Sequence, residues 1–222
     1  MVKRCCDVAL SAAALVLLAP AFAVVALVVR GGGPGPLLVR TRRTGRGGAV
    51  FTMHKFRTMA VDQGPDPSPL TRPDDPRVLP AGAVLRRLKL DELPQLYDVL
   101  RGAMSLVGPR PEDPRYVAAY YPPEAGELLR MRPGLTSPGT LYDYTHGDAV
   151  LAGDDPERAY ARTLLPRKLA LDRYYVRHAS LRYDLRLLLR TAGVIAMVAA
   201  GRRAFDPPPE LAAAQELLYQ PR

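Results

Sequence analysis

The sequence predicts an α/β fold, a small membrane-associated domain with an N-terminal re-entrant membrane helix hairpin, a short sheet region and amphipathic interfacial helices. Three observations support this prediction. Residues 8–29 form an uncharged apolar run, residues 49–59 alternate as a strand does, and later segments repeat apolar residues at helical spacing. Single domains commonly hold about 100 to 200 residues, so the 222 residues are expected to form one core with attachments. The predicted parts are the re-entrant helix at 1–30, the main domain on the cytoplasmic face at 31–204, and a peripheral C-terminal tail at 205–222.

The charge balance limits the classes of partner. A formal net charge of +9 favours anions such as lipid headgroups, nucleic acid or phosphorylated small molecules, and does not choose among them. The two cysteines, Cys5 and Cys6, are adjacent, so no disulfide framework is expected and a reducing cytoplasm fits. The three histidines are scattered, which argues against a zinc site and leaves open a hard cation held by carboxylates and phosphate.

The apolar run at residues 8–29 is long enough for the about 20 residues that cross a bilayer. A cleaved signal peptide is a poor interpretation, because its apolar region would hold only about 7 to 15 residues. Lys3 and Arg4 precede the run and Arg30 follows it, so both ends are expected in the cytoplasm. Pro20 near the middle favours a bend that returns the chain to its starting face, as in a re-entrant hairpin. A kinked spanning helix is the alternative, since prolines are tolerated in membrane helices.

The next segments predict one strand, one loop and two short helices. The strand at 49–59 would place alternate residues on one face, namely Phe51, Met53, Lys55, Arg57 and Met59. Residues 60–82 contain six prolines and suit a long surface loop beside a site. A basic helix at 83–90 is followed by a helix that starts at Asp91 and stops at Gly102. Its expected buried face comprises Leu93, Leu96, Tyr97 and Leu100.

Three further helix starts are predicted towards the C-terminus. Asp155 and Pro156 open one helix, Pro166 restarts it, and Ser180 is placed to cap the last. This last helix is strongly apolar at its end, but two arginines interrupt it. It is therefore expected to lie in the membrane interface rather than to cross the bilayer.

Three cations on two segments suit phosphate binding. Lys55 and Arg57, two residues apart on a strand, would lie within about 7 Å of each other, a spacing that suits a diphosphate. An exposed basic strand face is the alternative. Arg110 lies between prolines in GPRP at 108–111, where a preset backbone would present a planar guanidinium to phosphate oxygens. A tight turn with an incidental arginine is the alternative there.

Asp91 and Glu92 are adjacent carboxylates at the mouth of a predicted helix. Neighbouring residues there point in different directions, so one carboxylate is free to attack while the other holds a metal ion. Capping is the simpler interpretation, because aspartate is a preferred N-cap, glutamate suits the first turn and a proline is tolerated there. The segment alone leaves both interpretations open.

Taken together and in order, these segments resemble the bacterial sugar transferase family, the monotopic phosphoglycosyl transferases that begin the assembly of lipid-linked glycans. The resemblance covers the apolar hairpin with its central proline, GGPGP, KFRTM, DPRV, the block LRRLKLDELPQLYDVLRGAMSLVGPRPE, and RPGLT at 132–136. The long block around Asp91 favours a catalytic role over capping alone. The resemblance implies transfer of a sugar-1-phosphate from a UDP-sugar to polyprenyl (undecaprenyl) phosphate, with release of UMP, to initiate lipid-linked glycan or exopolysaccharide synthesis.

The same resemblance implies roles for individual residues. Asp91 would attack the β-phosphorus of the UDP-sugar to give a covalent aspartyl phospho-sugar, and Glu92 would be associated with Mg²⁺ as the cofactor. The expected phosphate-binding residues are Lys55, Arg57, Arg86 and Arg110. Asp172 and Asp184 match acidic positions of the family, where they either support the site by positioning its arginines or form structural salt bridges.

Two departures from the family pattern limit what the resemblance carries over. Ala19 stands where many members have a serine before the hairpin proline, so one hydrogen bond that would support the bend at Pro20 is absent. From Ser137 to Asp148 the chain reads SPGTLYDYTHGD, where many members continue with AQVNGR. Residues that contact the nucleotide or sugar therefore do not carry over, and the sugar is not readable.

The expected partners are a UDP-sugar, polyprenyl phosphate and the inner leaflet of the bacterial cytoplasmic membrane, where the protein would be monotopic. Nucleic acid is not expected as a partner, and a homodimer is left open. The alternative function is a membrane-anchored basic adaptor that binds anionic lipid or nucleic acid by charge. Such an adaptor would not need the carboxylates of Asp91 and Glu92 beside cations, and its binding would depend steeply on salt.

Overall fold

The structure is a computed structural model that describes residues 1–61, 68 and 70–216. It contains both helices and two small sheets, which confirms the prediction of a mixed α/β fold with a short sheet region. In chain order the elements are α1 Val2–Leu17, α2 Ala19–Gly31, β1 Leu38–Thr44, β2 Val50–Phe56, α3 Pro80–Arg87, α4 Gln95–Arg101, β3 Ser105–Val107, α5 Pro114–Tyr120, β4 Gly134–Thr136, α6 Pro138–Leu151, α7 Pro156–Ala159, α8 Leu165–His178, α9 Leu181–Ala199 and α10 Leu211–Glu216. Three 3-10 segments, Arg46–Gly48, Leu90–Glu92 and Pro123–Arg130, and a π-helical turn, Tyr160–Leu164, connect them.

The N-terminal apolar segment is a broken helix. Helices α1 and α2 meet at Leu18 and are bent by 63° relative to each other. Pro20 in the first turn of α2 explains the break, because it has no N–H to donate to the carbonyl of Val16 and its ring would clash with that carbonyl in a continuous helix. Among the described residues no single helix has the length and apolar composition to cross a membrane, whereas the bent pair together has both.

Both ends of this bent pair are attached to the same domain. At the start of α1, the Arg4 guanidinium donates hydrogen bonds of 2.7 and 2.9 Å to two backbone carbonyls of α4. At the end of α2, the Arg57 guanidinium donates to the carbonyls of Val29 (3.2 Å) and Gly33 (2.7 Å). The bend itself is exposed, with Val16 and Leu17 showing 75% and 77% of their surface. The pair therefore leaves the domain and returns to it, with an apolar tip between.

Strands β1 and β2 form an antiparallel hairpin in which Val39 lies opposite Lys55. The predicted strand at 49–59 is too long, because β2 ends at Phe56 and the next side chain turns to the end of α2. Met53 and Phe56 are buried, and because they lie three residues apart they face opposite sides of the strand and pack in different parts of the core. The hairpin carries Lys55 towards the turn between α3 and α4.

The loop predicted at residues 60–82 lies partly outside the described residues, which omit 62–67 and 69. Met59 forms an isolated antiparallel bridge with Val78. The predicted basic helix is confirmed as α3, which already begins at Pro80 because proline suits the first helical turn.

Helix α4 ends as predicted at Gly102, whose φ of 88° favours glycine. Its predicted buried face is partly wrong. Leu96 and Val99 are buried, whereas Tyr97 is 51% exposed. The helix starts four residues later than predicted, at Gln95, and this shift changes which residues face the core.

The three predicted C-terminal helix starts are confirmed. Asp155 accepts a hydrogen bond from the Arg158 N–H at 3.0 Å, and Ser180 accepts one from the Tyr183 N–H at 3.2 Å. Pro166 lies in the first turn of α8. Helix α8 runs through the main core, where its residues Leu165, Leu169, Ala170, Leu171 and Tyr175 are buried. Helices α5 and α6 were not predicted from the sequence.

The segment predicted as a peripheral tail, 205–222, packs on the domain as far as residue 216. The Glu210 carboxylate accepts hydrogen bonds from Arg190 (3.0 Å) and Tyr183 (3.1 Å) of α9, and Ala214 of α10 is fully buried. Long-range pairing of this kind leaves no local sequence signal. The remaining residues of the predicted tail, 217–222, lie outside the described residues.

Helix α9 presents apolar side chains on two sides. Leu187 and Val194 are buried in the core, whereas Leu185 and Leu189 are 57% and 65% exposed. The exposed leucines lie four residues apart, on one face of the helix. This outward apolar face is the feature expected of an interfacial helix.

Strands β3 and β4 pair in parallel and hold the backbone of Gly108 close to that of Gly134. The Gly108 N–H donates to the Thr136 carbonyl (3.0 Å), and the Gly134 N–H donates to the Pro109 carbonyl (2.9 Å). A Cβ atom on Gly134 would lie 2.1 Å from the backbone nitrogen of Gly108. Only glycine allows this approach, which fixes the start of the GPRP segment.

Replacing Gly134 with alanine is therefore expected to destabilise the fold by about 1 to 3 kcal/mol, the usual range for overpacking. Gly126→Ala is the matched control, because a Cβ atom there meets nothing within 4 Å. Denaturant unfolding of the two variants beside the unmodified chain measures the difference. Equal stability of all three proteins would contradict the close approach of the two backbones.

Candidate active site

Asp91 and Glu92 lie in the tight 3-10 turn Leu90–Glu92 between α3 and α4. Lys89, just before it, has a φ of 57° and is the only non-glycine residue with positive φ in the part of the chain that the structure describes. Such a backbone conformation costs roughly 1 to 3 kcal/mol and clusters at functional sites. The turn is therefore a candidate functional element.

Neither carboxylate caps a helix. Helix α4 begins behind Pro94, and no side-chain hydrogen bond caps its N-terminus. Asp91 and Glu92 are nevertheless only 5% and 7% exposed. The capping interpretation is therefore wrong, and the burial of two adjacent carboxylates requires partners of opposite charge.

Glu92 forms ion pairs with three cations from three parts of the chain. Its carboxylate accepts hydrogen bonds from Lys55 Nζ of β2 at 3.1 Å and from the Arg110 guanidinium at 2.7 and 3.4 Å. Lys89 Nζ lies 3.6 Å from the same carboxylate. Burial raises the pKa of Glu92, but the neighbouring Arg110, Lys55 and Lys89 outweigh burial and hold that pKa well below its ordinary value. Glu92 is therefore an ionised centre that holds these side chains together.

Asp91 has a different environment. Its buried Oδ1 atom has no hydrogen-bond partner among the described residues. Burial raises the pKa of Asp91, although the nearby cations Lys55, Lys89 and Arg86 act in the opposite direction. An unsatisfied buried oxygen is costly, so it indicates a group kept available for a ligand or a reacting atom.

Arg110 is positioned through its backbone as well as through Glu92. The Asp172 carboxylate accepts hydrogen bonds from the Arg110 N–H (3.3 Å) and from the Gly139 N–H at the start of α6 (2.9 Å). Burial raises the pKa of Asp172 to about 6, against the effect of these donors. The geometry supports the positioning role for Asp172 that the sequence left open.

Two of the expected site residues lie elsewhere. The Arg57 guanidinium is committed to backbone carbonyls at the end of α2, so the expected phosphate-binding role of Arg57 is not supported. Asp184 accepts hydrogen bonds from Lys3 Nζ and from the Tyr175 hydroxyl, both at 2.6 Å. It therefore ties α1 to α8 and α9, which is the structural alternative. The structure brings together the other expected residues: Lys55, Arg86, Asp91, Glu92, Arg110 and Asp172.

The sequence analysis missed Lys89 and helix α6. Lys89 Nζ lies 4.7 Å above the Tyr144 ring, and the Tyr144 hydroxyl donates to the carbonyl of Arg87. Asp143, one residue earlier, lies 3.3 Å from Lys168 Nζ. The segment that departs from the family pattern thus forms α6 and lies against the cation cluster. The sequence did offer a signal for Lys89, because it is a basic residue only two positions before Asp91.

The residues present fit Mg²⁺ only when the ion arrives with a phosphorylated ligand. No group of three or more His, Cys, Asp or Glu side chains among the described residues is arranged to hold a metal ion. Mg²⁺ commonly binds through one or two carboxylates, with substrate phosphates and water completing its shell. Glu92, next to Lys55 and Arg110, supplies one such carboxylate.

Asp91 and Glu92 are buried beside four cations, Lys55, Arg86, Lys89 and Arg110. Such a cluster of carboxylates and cations is typical of sites that bind phosphorylated ligands. The chain belongs to the bacterial sugar transferase family, whose model matches residues 1–198. The predicted family is therefore confirmed.

Several named relatives are similar to this chain. A UDP-glucose:undecaprenyl-phosphate glucose-1-phosphate transferase of Caulobacter vibrioides is 39% identical over 194 residues, covering 85% of this chain and 67% of the relative. The Escherichia coli K12 protein of the same name is 33% identical, covering 86% of this chain and 39% of the relative. The exopolysaccharide production protein PSS of Rhizobium leguminosarum bv. phaseoli is 37% identical, covering 86% of this chain and 93% of the relative. The chain thus spans well under half of some relatives and nearly all of another.

The position of Lys89 predicts a direct role in binding phosphate. Lys89→Gly should bind inorganic pyrophosphate about tenfold or more weakly, because one charge-assisted hydrogen bond is lost. Its free energy of unfolding should fall only modestly, because the ease with which glycine adopts a positive φ offsets part of the lost contacts with Glu92 and Tyr144. Lys89→Arg, which keeps the charge, is the matched control and should retain binding. Calorimetric titration measures the affinities, and an unchanged affinity for Lys89→Gly would remove Lys89 from the site.

Proposed function

We propose that this chain transfers a sugar-1-phosphate from a UDP-sugar to polyprenyl phosphate, specifically undecaprenyl phosphate, through a covalent intermediate on Asp91. The observation that carries the proposal is the unsatisfied buried Oδ1 of Asp91 beside Lys55 and the turn residue Lys89. The names of the relatives support the substrates, since they describe transfer of glucose-1-phosphate from UDP-glucose to undecaprenyl phosphate. The relative named for exopolysaccharide production supports a role in that synthesis.

The chemistry requires two displacements at one phosphorus atom. In the first, a carboxylate oxygen of Asp91 attacks the β-phosphorus of the UDP-sugar, and the bond to the bridging oxygen breaks so that UMP leaves. In the second, a phosphate oxygen of the polyprenyl phosphate attacks the same phosphorus. The bond to Asp91 then breaks, which restores the carboxylate and yields the polyprenyl diphosphate sugar. Atoms and charge balance without a redox partner.

The cations have a role in both displacements. Lys55, Lys89 and Arg110 are held by Glu92 at distances of 2.7 to 3.6 Å. A bound diphosphate would compete with Glu92 for these side chains and receive them already in place, because preorganised donors need no reorganisation during the reaction. Mg²⁺ held by Glu92 would supply further charge neutralisation at the diphosphate. Asp91, which these cations do not hydrogen-bond, stays available for attack.

The bent helix pair supports a location at the inner leaflet of the cytoplasmic membrane. Both of its ends are bonded to one domain, so an insertion that crosses the bilayer would place parts of that domain on opposite sides. A re-entrant, monotopic insertion avoids this conflict. The basic flanks favour the cytoplasmic side, and the exposed leucines of α9 would rest in the interface. A basic adaptor accounts for none of the buried carboxylate geometry.

Asp91→Asn should abolish UMP release from a UDP-sugar in the presence of polyprenyl phosphate, because an amide does not replace the attacking carboxylate. Asp148→Asn, an equivalent change at an exposed site on α6, is the matched control and should keep its activity. Folding of both variants is checked by thermal unfolding. Substantial turnover by folded Asp91→Asn would support direct attack by the lipid phosphate instead.

Re-entrant topology predicts that Val2 and Arg40 lie on the same side of the membrane. In a variant with Cys5 and Cys6 replaced by serine, single cysteines at these two positions should react with an impermeant thiol reagent from the cytoplasmic side of sealed vesicles. A cysteine at Leu17, in the exposed apolar tip, should resist labelling from either side. Reaction of the two flanking cysteines from opposite sides would replace the re-entrant hairpin with a kinked spanning helix.

A further inference from the structure

A second group of cations surrounds a groove at the start of α1. The groove has a volume of about 240 Å³. The basic residues that line it are Lys3, Arg4, Arg46, Arg130 and Arg132. No residue of the cluster around Asp91 and Glu92 lines it, so the function proposed above leaves this α1 groove unexplained.

Three of the four arginines of the α1 groove donate hydrogen bonds to neutral acceptors. Arg132 Nε donates to the Gly102 carbonyl at 3.0 Å, and Arg46 Nε donates to the Arg130 carbonyl at 3.1 Å. The Arg4 guanidinium donates to two carbonyls of α4. Carbonyl partners fix the direction of these three side chains without neutralising their charge.

Among the described residues, the positive charge of the arginines in the α1 groove is not neutralised by ion pairs with carboxylates. In the described part of the chain, none of its four arginines forms an ion pair with an aspartate or glutamate. Asp7 also lines the groove and keeps its negative charge, because its partners, the Ser105 hydroxyl (2.8 Å) and the Leu106 N–H (3.1 Å), are neutral; this one carboxylate is outnumbered by the four arginines. Lys3 is paired with Asp184. The groove therefore concentrates positive charge that a bound anion would relieve.

The chemistry of the groove selects a phosphate group. Guanidinium forks match the oxygens of phosphate, and arginines with fixed direction lose little entropy on binding. A volume of about 240 Å³ is several times the roughly 30 Å³ of one water molecule. It accommodates a phosphate together with the atoms linked to it.

The position of the groove indicates the source of that phosphate. Lys3 and Arg4 belong to the first turn of α1, and Val2 beside them is 62% exposed. With the re-entrant insertion of the proposed function, on which this step rests, the start of α1 lies at the level of the lipid headgroups. We propose that the α1 groove binds the phosphate of an anionic phospholipid of the inner leaflet, at a site separate from the catalytic carboxylates. Anionic headgroups of this leaflet attract basic segments placed at its surface.

The full chain in detergent micelles tests this proposal by thermal unfolding during titration with phosphatidylglycerol. The midpoint should rise to a plateau, because a ligand that binds only the folded protein stabilises it. Arg46→Gln/Arg130→Gln should lose most of this rise, whereas phosphatidylcholine should give none with either protein. Arg158→Gln/Arg162→Gln removes the same charge outside the groove and is the matched control, which should respond like the unmodified chain.

Three results of the phosphatidylglycerol titration would overturn the proposal. They are no response of the unmodified chain, an equal response of Arg46→Gln/Arg130→Gln, and an equal loss in the control variant. Inorganic phosphate at the same concentrations forms a separate arm, and a rise as large as that with phosphatidylglycerol would identify a free-phosphate site and overturn the assignment to lipid.

UMP release in detergent without anionic lipid should be the same in the groove variant and the unmodified chain. Absence of UMP release from both proteins would count against the proposed function, and the lipid response is measured independently of it.

Discussion

The arrangement of the site depends on one buried carboxylate, Glu92, and the three cations that it holds. Lys55, Lys89 and Arg110 come from a strand, a strained turn and a segment between prolines, and each lies within 3.6 Å of that carboxylate. Removing Glu92 would leave these three partly buried cations without their shared partner, a change that typically costs about 3 to 5 kcal/mol, so the positions of the three segments are coupled through this carboxylate. Its second consequence is chemical. Because Glu92 occupies the cations, the neighbouring Asp91 retains an oxygen without a hydrogen bond.

The rest of the fold serves to bring these groups into place. The contact between Gly108 and Gly134 fixes the start of the GPRP segment, and Asp172 accepts a hydrogen bond from the backbone of Arg110 further along it. Helix α6 places Tyr144 against Lys89, so the segment that differs from the family pattern forms one wall of the cluster.

The sequence predicted those features of the fold that depend on contacts between residues close together in the chain. Ser180, Asp155 and Gly102 cap or end helices as predicted, because each acts on a backbone within a few residues. Long-range partners were not readable. A strand pattern does not show that the Arg57 side chain turns back to the end of α2, nor does the tail composition show that Glu210 pairs with α9. The site around Asp91 could be predicted from the sequence because most of its charged residues are close together in the chain. The contact of α6 with this site could not be predicted, because it forms only in the folded protein.

The central claim is that Asp91 becomes covalently bonded to the phospho-sugar. Its most direct test is mass spectrometry of the full chain after incubation with a UDP-sugar and without polyprenyl phosphate, under acidic quench. The account predicts release of UMP and a mass increase of one sugar phosphate on the peptide that contains Asp91, followed by loss of that mass when the lipid phosphate is added. UMP release that occurs only with the lipid phosphate present, with no adduct on any peptide, would contradict it.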